Sequence, residues 1–229
     1  MRLGVFGGTF NPVHYGHLRA AEEALLSGTV DRVLFVPAGN PPLKEEGLVP
    51  VEGRMAMVEL AISGNPAMEI SAVEASSSGK SYTVDTLRKL SALHPDDTLV
   101  FILGLDAFCD MHLWKDPGEL VSLADFLVMS RPGHAFASIS RLPYADVSRG
   151  SLEAMDSAGA RGAEGSLRGG RRLHLLRITE MGVSASAIRG LVTRGESIRY
   201  LLPESVESFI MSHGLYAASA TGSNGADTL

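Results

Sequence analysis

Two histidines three residues apart, His14 and His17, flank Gly16 shortly after the glycine pair Gly7-Gly8. Imidazoles at that spacing near a helix start project to one side and can donate hydrogen bonds to one anion. The glycines carry no Cβ, so the backbone there can turn sharply and approach a ligand. A helix that follows offers unpaired N–H groups and the positive end of its dipole. The chemistry implied is phosphate binding. It is of neither common type, because Gly4, Gly7 and Gly8 form neither G-x-G-x-x-G nor G-x-x-x-x-G-K-[ST]. Ser184 and Ser186 open a second expected helix, where small hydroxyls cap and Arg189 can meet an anion from the first turn. Asp106 follows the most strand-like run in the chain, Asp97 to Leu103, by way of Gly104. An acid at such a strand end is placed to accept from ribose hydroxyls.

These groups need a frame, and the hydrophobic pattern supplies one. A first strand starts at Leu3, and apolar periodicity from Leu18 to Leu26 predicts a helix after it. Val30 to Pro37 reads as a second strand, Arg54 to Ile62 as a helix, and Met68 to Val73 as a third strand. Ser81 is a candidate N-cap for a helix whose buried face is Leu87, Leu90 and Leu93. Strands are expected at Asp97 to Leu103, Ala124 to Ser130 and Leu173 to Ile178, and a last helix opens at Pro203 and packs through Val206, Phe209 and Ile210. The alternation predicts an α/β, Rossmann-like, doubly wound parallel sheet with a C-terminal helical segment. Residues 1–216 are expected to form one domain. Within it, Ser148 to Arg172 is rich in Gly, Ser, Ala and Arg and reads as a flexible insertion, and 217–229 as a disordered tail.

Composition narrows the class. The 229 residues are 45% hydrophobic and 20% charged, which is ordinary for a globular protein. A net charge of −6 argues against a nucleic-acid partner. The single cysteine, Cys109, excludes an intrachain disulfide and reads as core packing. No apolar run reaches the ~20 residues of a membrane span, and no signal-peptide pattern opens the chain, so a cytoplasmic location is expected. His94, His112, His134, His174 and His213 lack metal-ligand spacing, so no metal site made of protein ligands is expected.

The stretch Gly7-Gly8-Thr9-Phe10-Asn11-Pro12-Val13-His14-Tyr15-Gly16-His17 resembles the G-G-T-F-[DN]-P-x-H-x-G-H signature of the nucleotidylyltransferase superfamily, in particular its bacterial nicotinate-nucleotide adenylyltransferases. Ser81 to Leu87 is similar to that family's S-Y-T-x-D-T-L segment, and Gly104, Asp106 and Trp114 match its G-x-D…W spacing. Val183 to Arg189 resembles I-S-S-T-x-I-R, with Ala185 in place of a serine and Ser186 in place of the threonine. Lys44 carries over from P-P-H-K, whereas Leu43 stands where that histidine would be. The resemblance implies transfer of AMP from ATP to nicotinate mononucleotide. By it, His14, His17, Lys44 and Arg189 are catalytic; Gly7, Gly8, Thr9, Phe10, His17, Gly104, Asp106, Ser184, Ser186 and Arg189 bind ATP; and Asn11, His14, Lys44, Tyr82, Thr83 and Trp114 bind the mononucleotide. Mg²⁺ would be held mainly by the ATP phosphates and water. Partners would be these two nucleotides, with no nucleic acid or membrane, in a monomer or homo-oligomer. Tyr82, Thr83 and Trp114 argue against phosphopantetheine as acceptor, which has no aromatic ring.

Overall fold

The computed structural model describes residues 1–41, 47–75 and 79–218. Leu43, Lys44 and, from residue 219 onward, the expected tail lie outside the described residues. Strand β1 (Arg2–Gly8) is followed by α1 (Tyr15–Leu26), β2 (Arg32–Pro37), α2 (Val51–Ile62), β3 (Met68–Ile70), α3 (Thr83–Leu93) and β4 (Thr98–Gly104). Next come α4 (Leu105–Cys109), α5 (Pro117–Leu123), β5 (Asp125–Met129), β6 (Ala145–Asp146), α6 (Arg149–Asp156), β7 (Gly162–Leu167) and β8 (Arg172–Leu176). Helices α7 (Ala185–Thr193) and α8 (Glu204–Ser212) close the chain.

The strands form one sheet in the order β3-β2-β1-β4-β5-β8-β7-β6. From β3 to β8 the neighbours are parallel; β7 and β6 add antiparallel at one margin. Side chains of a strand alternate between faces, and β4 shows both uses: Leu99, Phe101 and Leu103 enter one core, Val100 and Ile102 the other. Helices α3 to α6 cover the first face, and α1, α2, α7 and α8 the second. The result is the doubly wound arrangement, with the carboxyl ends of β1, β4 and β5 opening toward one cleft.

Several local expectations are corrected. The segment from Ser148 to Arg172 is not a flexible insertion: it forms α6 and β7, with β7 paired to β8 along Gly162–Ser166. Leu152, Met155 and Leu167 are each no more than 3% exposed, and with the partly buried Ala160 and Ala163 they pack this unit on the core. Ser148 caps α6, its Oγ accepting from the Ser151 N–H at 3.1 Å. Tyr82, not Ser81, is the N-cap of α3; the Ser81 hydroxyl instead accepts from the Asn40 N–H at 3.2 Å. Leu93, the last residue of α3, is exposed. Pro203 is the N-cap of α8 and not its first helical residue. The helical face of Val206 and Ile210 is buried as expected.

The sharp turn after β1 also differs. Gly7 and Gly8 remain in strand, and the left-handed residue is Phe10, at φ +50°. An L-residue there is strained, and the surrounding rings hold it: Phe10 is 2% exposed, with ring centroids 5.9 Å from Phe6, 5.5 Å from Phe35 and 5.1 Å from His17. A Cβ on Gly8 would lie 3.0 Å from the Phe10 ring. Gly8 is therefore needed for room beside that ring rather than for its own dihedrals.

Candidate active site

All of the candidate residues named from the sequence except Lys44, which lies outside the described residues, line one cavity of about 1030 Å³ at the carboxyl end of the sheet. His14 is the N-cap of α1 and His17 its third residue. Their rings stack, with centroids 3.8 Å apart and planes at 27°. The His14 backbone N–H donates to Nδ1 of His17 at 3.3 Å. Burial, helped by the neighbouring Arg131, lowers His14 to about 4. Burial, His14 and Arg131 together push His17 well below its ordinary value. Both rings are therefore neutral near pH 7, and each is a hydrogen-bond donor rather than a cation. The Nδ1 of His14 is buried with no hydrogen-bond partner among the described residues.

On the other side of the cavity, Ser184 is the N-cap of α7 and accepts from the Ala187 N–H at 3.2 Å; its hydroxyl is 3.2 Å from that of Ser186. Capping leaves the remaining first-turn N–H groups facing the cleft. Arg189 lies in the second turn rather than the first, and its Nη1 donates to the Asn11 carbonyl at 2.8 Å. That bond ties α7 to the loop before α1.

Asn11 lines the cavity and also braces it from within the fold. It is 1% exposed, and its side chain donates to the Gly47 carbonyl at 3.1 Å while accepting from the Val49 N–H at 3.2 Å and the Tyr216 hydroxyl at 2.8 Å. Its amide is a strut between three segments. Only tertiary structure brings Tyr216 there.

Asp106 stands in the first turn of α4, capped by Gly104. A Cβ at Gly104 would collide with the Asp106 carboxylate and the Arg131 side chain, so glycine keeps this acid and this cation over the strand end. Arg131 Nε is 3.4 Å from Asp106 Oδ1. Trp114 is half-buried, edge-on to Phe101 at 6.2 Å and 71°, with the rest of the indole on the cavity wall. Lys115 Nζ lies 4.9 Å from the Tyr82 ring centroid and donates to Asp85 Oδ2 at 2.8 Å. Asp85, in the first turn of α3 where the dipole favours an acid, thus also anchors that lysine.

Sequence reasoning missed two arginines. Arg131, two residues past the end of β5, lines the cavity and helps hold both histidines neutral. Arg54 is 1% exposed and donates to the carbonyls of Thr9 at 2.8 Å, Ala38 at 2.6 Å and Val49 at 2.8 Å. A polar residue on the inner face of a predicted helix was the available signal for Arg54. No such signal marked Arg131. Cys109 packs, half-buried, against the core with Sγ 3.3 Å from the Ser138 hydroxyl. Among the described residues no three His, Cys, Asp or Glu side chains converge on a metal-sized site, and no helix is long and apolar enough to cross a membrane.

Comparison with known proteins gives consistent likenesses. The family model described as Cytidylyltransferase-like matches residues 5–191. A relative from Trichlorobacter lovleyi, named "Probable nicotinate-nucleotide adenylyltransferase", is 43% identical over 218 residues, covering 94% of this chain and 99% of that protein. One of the same name from Geobacter sulfurreducens is 41% identical over 219 residues, covering 95% and 99%. Among solved structures, Plasmodium falciparum nicotinic acid mononucleotide adenylyltransferase complexed with NaAD superposes with a TM-score of 0.72 at 19% identity, covering 94% of this chain and 97% of that one. At that identity the likeness speaks for the fold.

Proposed function

Because the chain belongs to the cytidylyltransferase-like family, and within it to the nicotinate-nucleotide adenylyltransferases, we propose the following assignment of its cavity to the transfer of AMP from ATP to nicotinate mononucleotide, which yields deamido-NAD and pyrophosphate. The observation that carries the reading is the meeting of two helix N-termini, those of α1 and α7, and the Trp114 ring around one cleft.

The acceptor's phosphate oxygen is already anionic at neutral pH. Its attack on the α-phosphorus of ATP needs no general base, and pyrophosphate leaves from the opposite side. What the protein must supply is in-line placement and donors for charge that grows on the transferred group. His17, whose Nδ1 is occupied as an acceptor, carries its proton on Nε2 and donates to the reacting phosphate. His14 supports the same group from the adjacent turn. The α7 start, with Ser184, Ser186 and Arg189, receives the β- and γ-phosphates. Gly7 to Phe10 form the wall on which the nucleotide lies. Arg131 adds positive charge over Asp106, which takes the adenosine ribose. Trp114 stacks on the pyridine ring, with the α3 start at Tyr82 and Thr83 beside the carboxylate end. Lys44 is assigned to the phosphates by family resemblance alone.

Among the described residues, the carboxylates in the cavity wall, Glu74, Asp106, Asp110 and Glu180, form no cage for an ion, and magnesium would fit this cleft as part of the nucleotide complex, held by phosphate oxygens and water. Bound that way, it neutralises triphosphate charge. Pyrophosphate release measured with ATP, Mg²⁺ and nicotinate mononucleotide, against the amide mononucleotide and phosphopantetheine as acceptors, tests the reading. Release with the nicotinate acceptor is expected. Release with phosphopantetheine in its place would overturn the reading.

A further inference from the structure

Glu23 lies six residues beyond His17 on α1, and although acidic it is 1% exposed. Its oxygens gather donors from three separate segments. Oε1 accepts from Arg19 Nε at 2.7 Å and from the Thr179 backbone N–H at 3.0 Å; Oε2 accepts from Arg161 Nη2 at 3.0 Å. Arg161 immediately precedes β7, and its carbonyl accepts from the Arg177 N–H at 2.8 Å, so the chain leaving β8 is pinned just before Thr179. The Ile178 N–H donates to the Ser130 hydroxyl at 3.0 Å, which fixes the same segment to the end of β5. Ile178 to Met181 line the cavity, and five residues after Thr179 comes Ser184, the cap of α7.

Helix α1 and the segment that leads into α7 are thus joined by one buried carboxylate. Helix α1 carries His14 and His17; the Thr179 segment feeds α7 with Ser184, Ser186 and Arg189. We propose that Glu23 is a positioning residue for ATP, setting the separation between these two helix starts. The proposal rests on the reading that a triphosphate spans them. Donors that must act on one triphosphate tolerate little displacement, and a shift of about 1 Å can cost as much as 100-fold in rate.

The test uses the full chain. Glu23→Ala removes every bond; Glu23→Gln keeps the volume and an acceptor for the Thr179 N–H; Arg161→Met removes the most exposed donor and leaves the Thr179 bond intact. For Glu23→Ala the KM for ATP is expected to rise about tenfold, with kcat lowered and the KM for nicotinate mononucleotide unchanged. Glu23→Gln should restore most of the ATP KM, and Arg161→Met should keep it near wild type. If the variants lose melting temperature but retain wild-type kcat and ATP KM, Glu23 is only a stabilising residue and the proposal fails. Should Glu23→Ala not fold, Glu23→Met, which keeps the volume and offers no acceptor, decides through the same split between the two KM values. Calorimetric titration with ATP and no acceptor gives an independent reading: an ATP affinity lowered in Glu23→Ala or Glu23→Met supports the proposal even where wild type transfers nothing to nicotinate mononucleotide, and an unchanged affinity overturns it.

Discussion

The backbone N–H of His14 donates to Nδ1 of His17 across 3.3 Å, and this one bond decides which face of the second imidazole is chemically useful. A ring nitrogen that accepts carries no proton, so the donor proton of a neutral His17 sits on Nε2. Replacing His17 by Ala removes a donor whose bond strengthens as charge grows on the phosphoryl group. The expected loss is about 100-fold in kcat, or about 3 kcal/mol, with a smaller effect on ATP binding. Steady-state kinetics check it; an unchanged kcat would remove His17 from the reacting centre.

Stability should depend on pH through His14. Its folded value is about 4 because burial opposes the charged ring, whereas a free imidazole titrates near 6.5. As pH falls below about 6.5 the unfolded chain takes up this proton first. The stabilising contribution is therefore complete above that pH and is lost progressively toward pH 4, amounting to about 3 kcal/mol. Melting temperature measured from pH 7 to 4 should fall more steeply for wild type than for His14→Gln. Equal slopes would show that His14 is not the group responsible.

Trp114 is half-buried against the core and meets Phe101 edge-on. Changing it to Leu keeps much of that contact and removes the ring face. The KM for nicotinate mononucleotide is expected to rise about tenfold, from ~1–2 kcal/mol of stacking and cation–π energy, with little change in the KM for ATP or in melting temperature. A large stability loss with an unchanged mononucleotide KM would return the indole to a purely structural role.

The α6–β7 unit makes its own prediction. Leu152 is 1% exposed between α6 and the core, so Leu152→Ala should cost about 3 kcal/mol through lost burial and the cavity left behind. Denaturant unfolding measures it. A change below about 0.5 kcal/mol, the range of surface substitutions, would mean the unit is loosely attached after all.

The first strand and α1 were readable because periodicity acts over a few residues, whereas the turn between them is made at Phe10 and not at the glycine pair. The α6–β7 unit was not readable, because β7, Gly-Ala-Glu-Gly-Ser-Leu, buries only Leu167 and gains its order from pairing with β8, a relation no local pattern encodes. The assignment of Asn11 to the mononucleotide came from family resemblance, which says nothing of the bonds its amide makes inside the fold. Tyr216, 205 residues away, is one of the groups that occupy that amide. Ser81 and Tyr82 compete for one cap, and the hydrogen bond from Asn40 to Ser81 settles the competition in a way that sequence adjacency does not disclose. The cleft was legible as a set of residue types; the arginines that brace it, Arg54 and Arg131, depend on which carbonyls and carboxylates the fold brings to them.

The margins of the sheet have a consequence for how the protein behaves among copies of itself. A long bare edge is a template onto which another chain can add a strand. Here one margin, β3, is three residues long and the other, β6, two. Each offers a neighbouring chain too few backbone groups for a stable ladder. The hydrophobic run of β4 stays in the interior with β1 and β5 on either side, so concentrated solutions of the folded protein should resist fibre growth by edge addition, even though the sheet at their centre is eight strands wide.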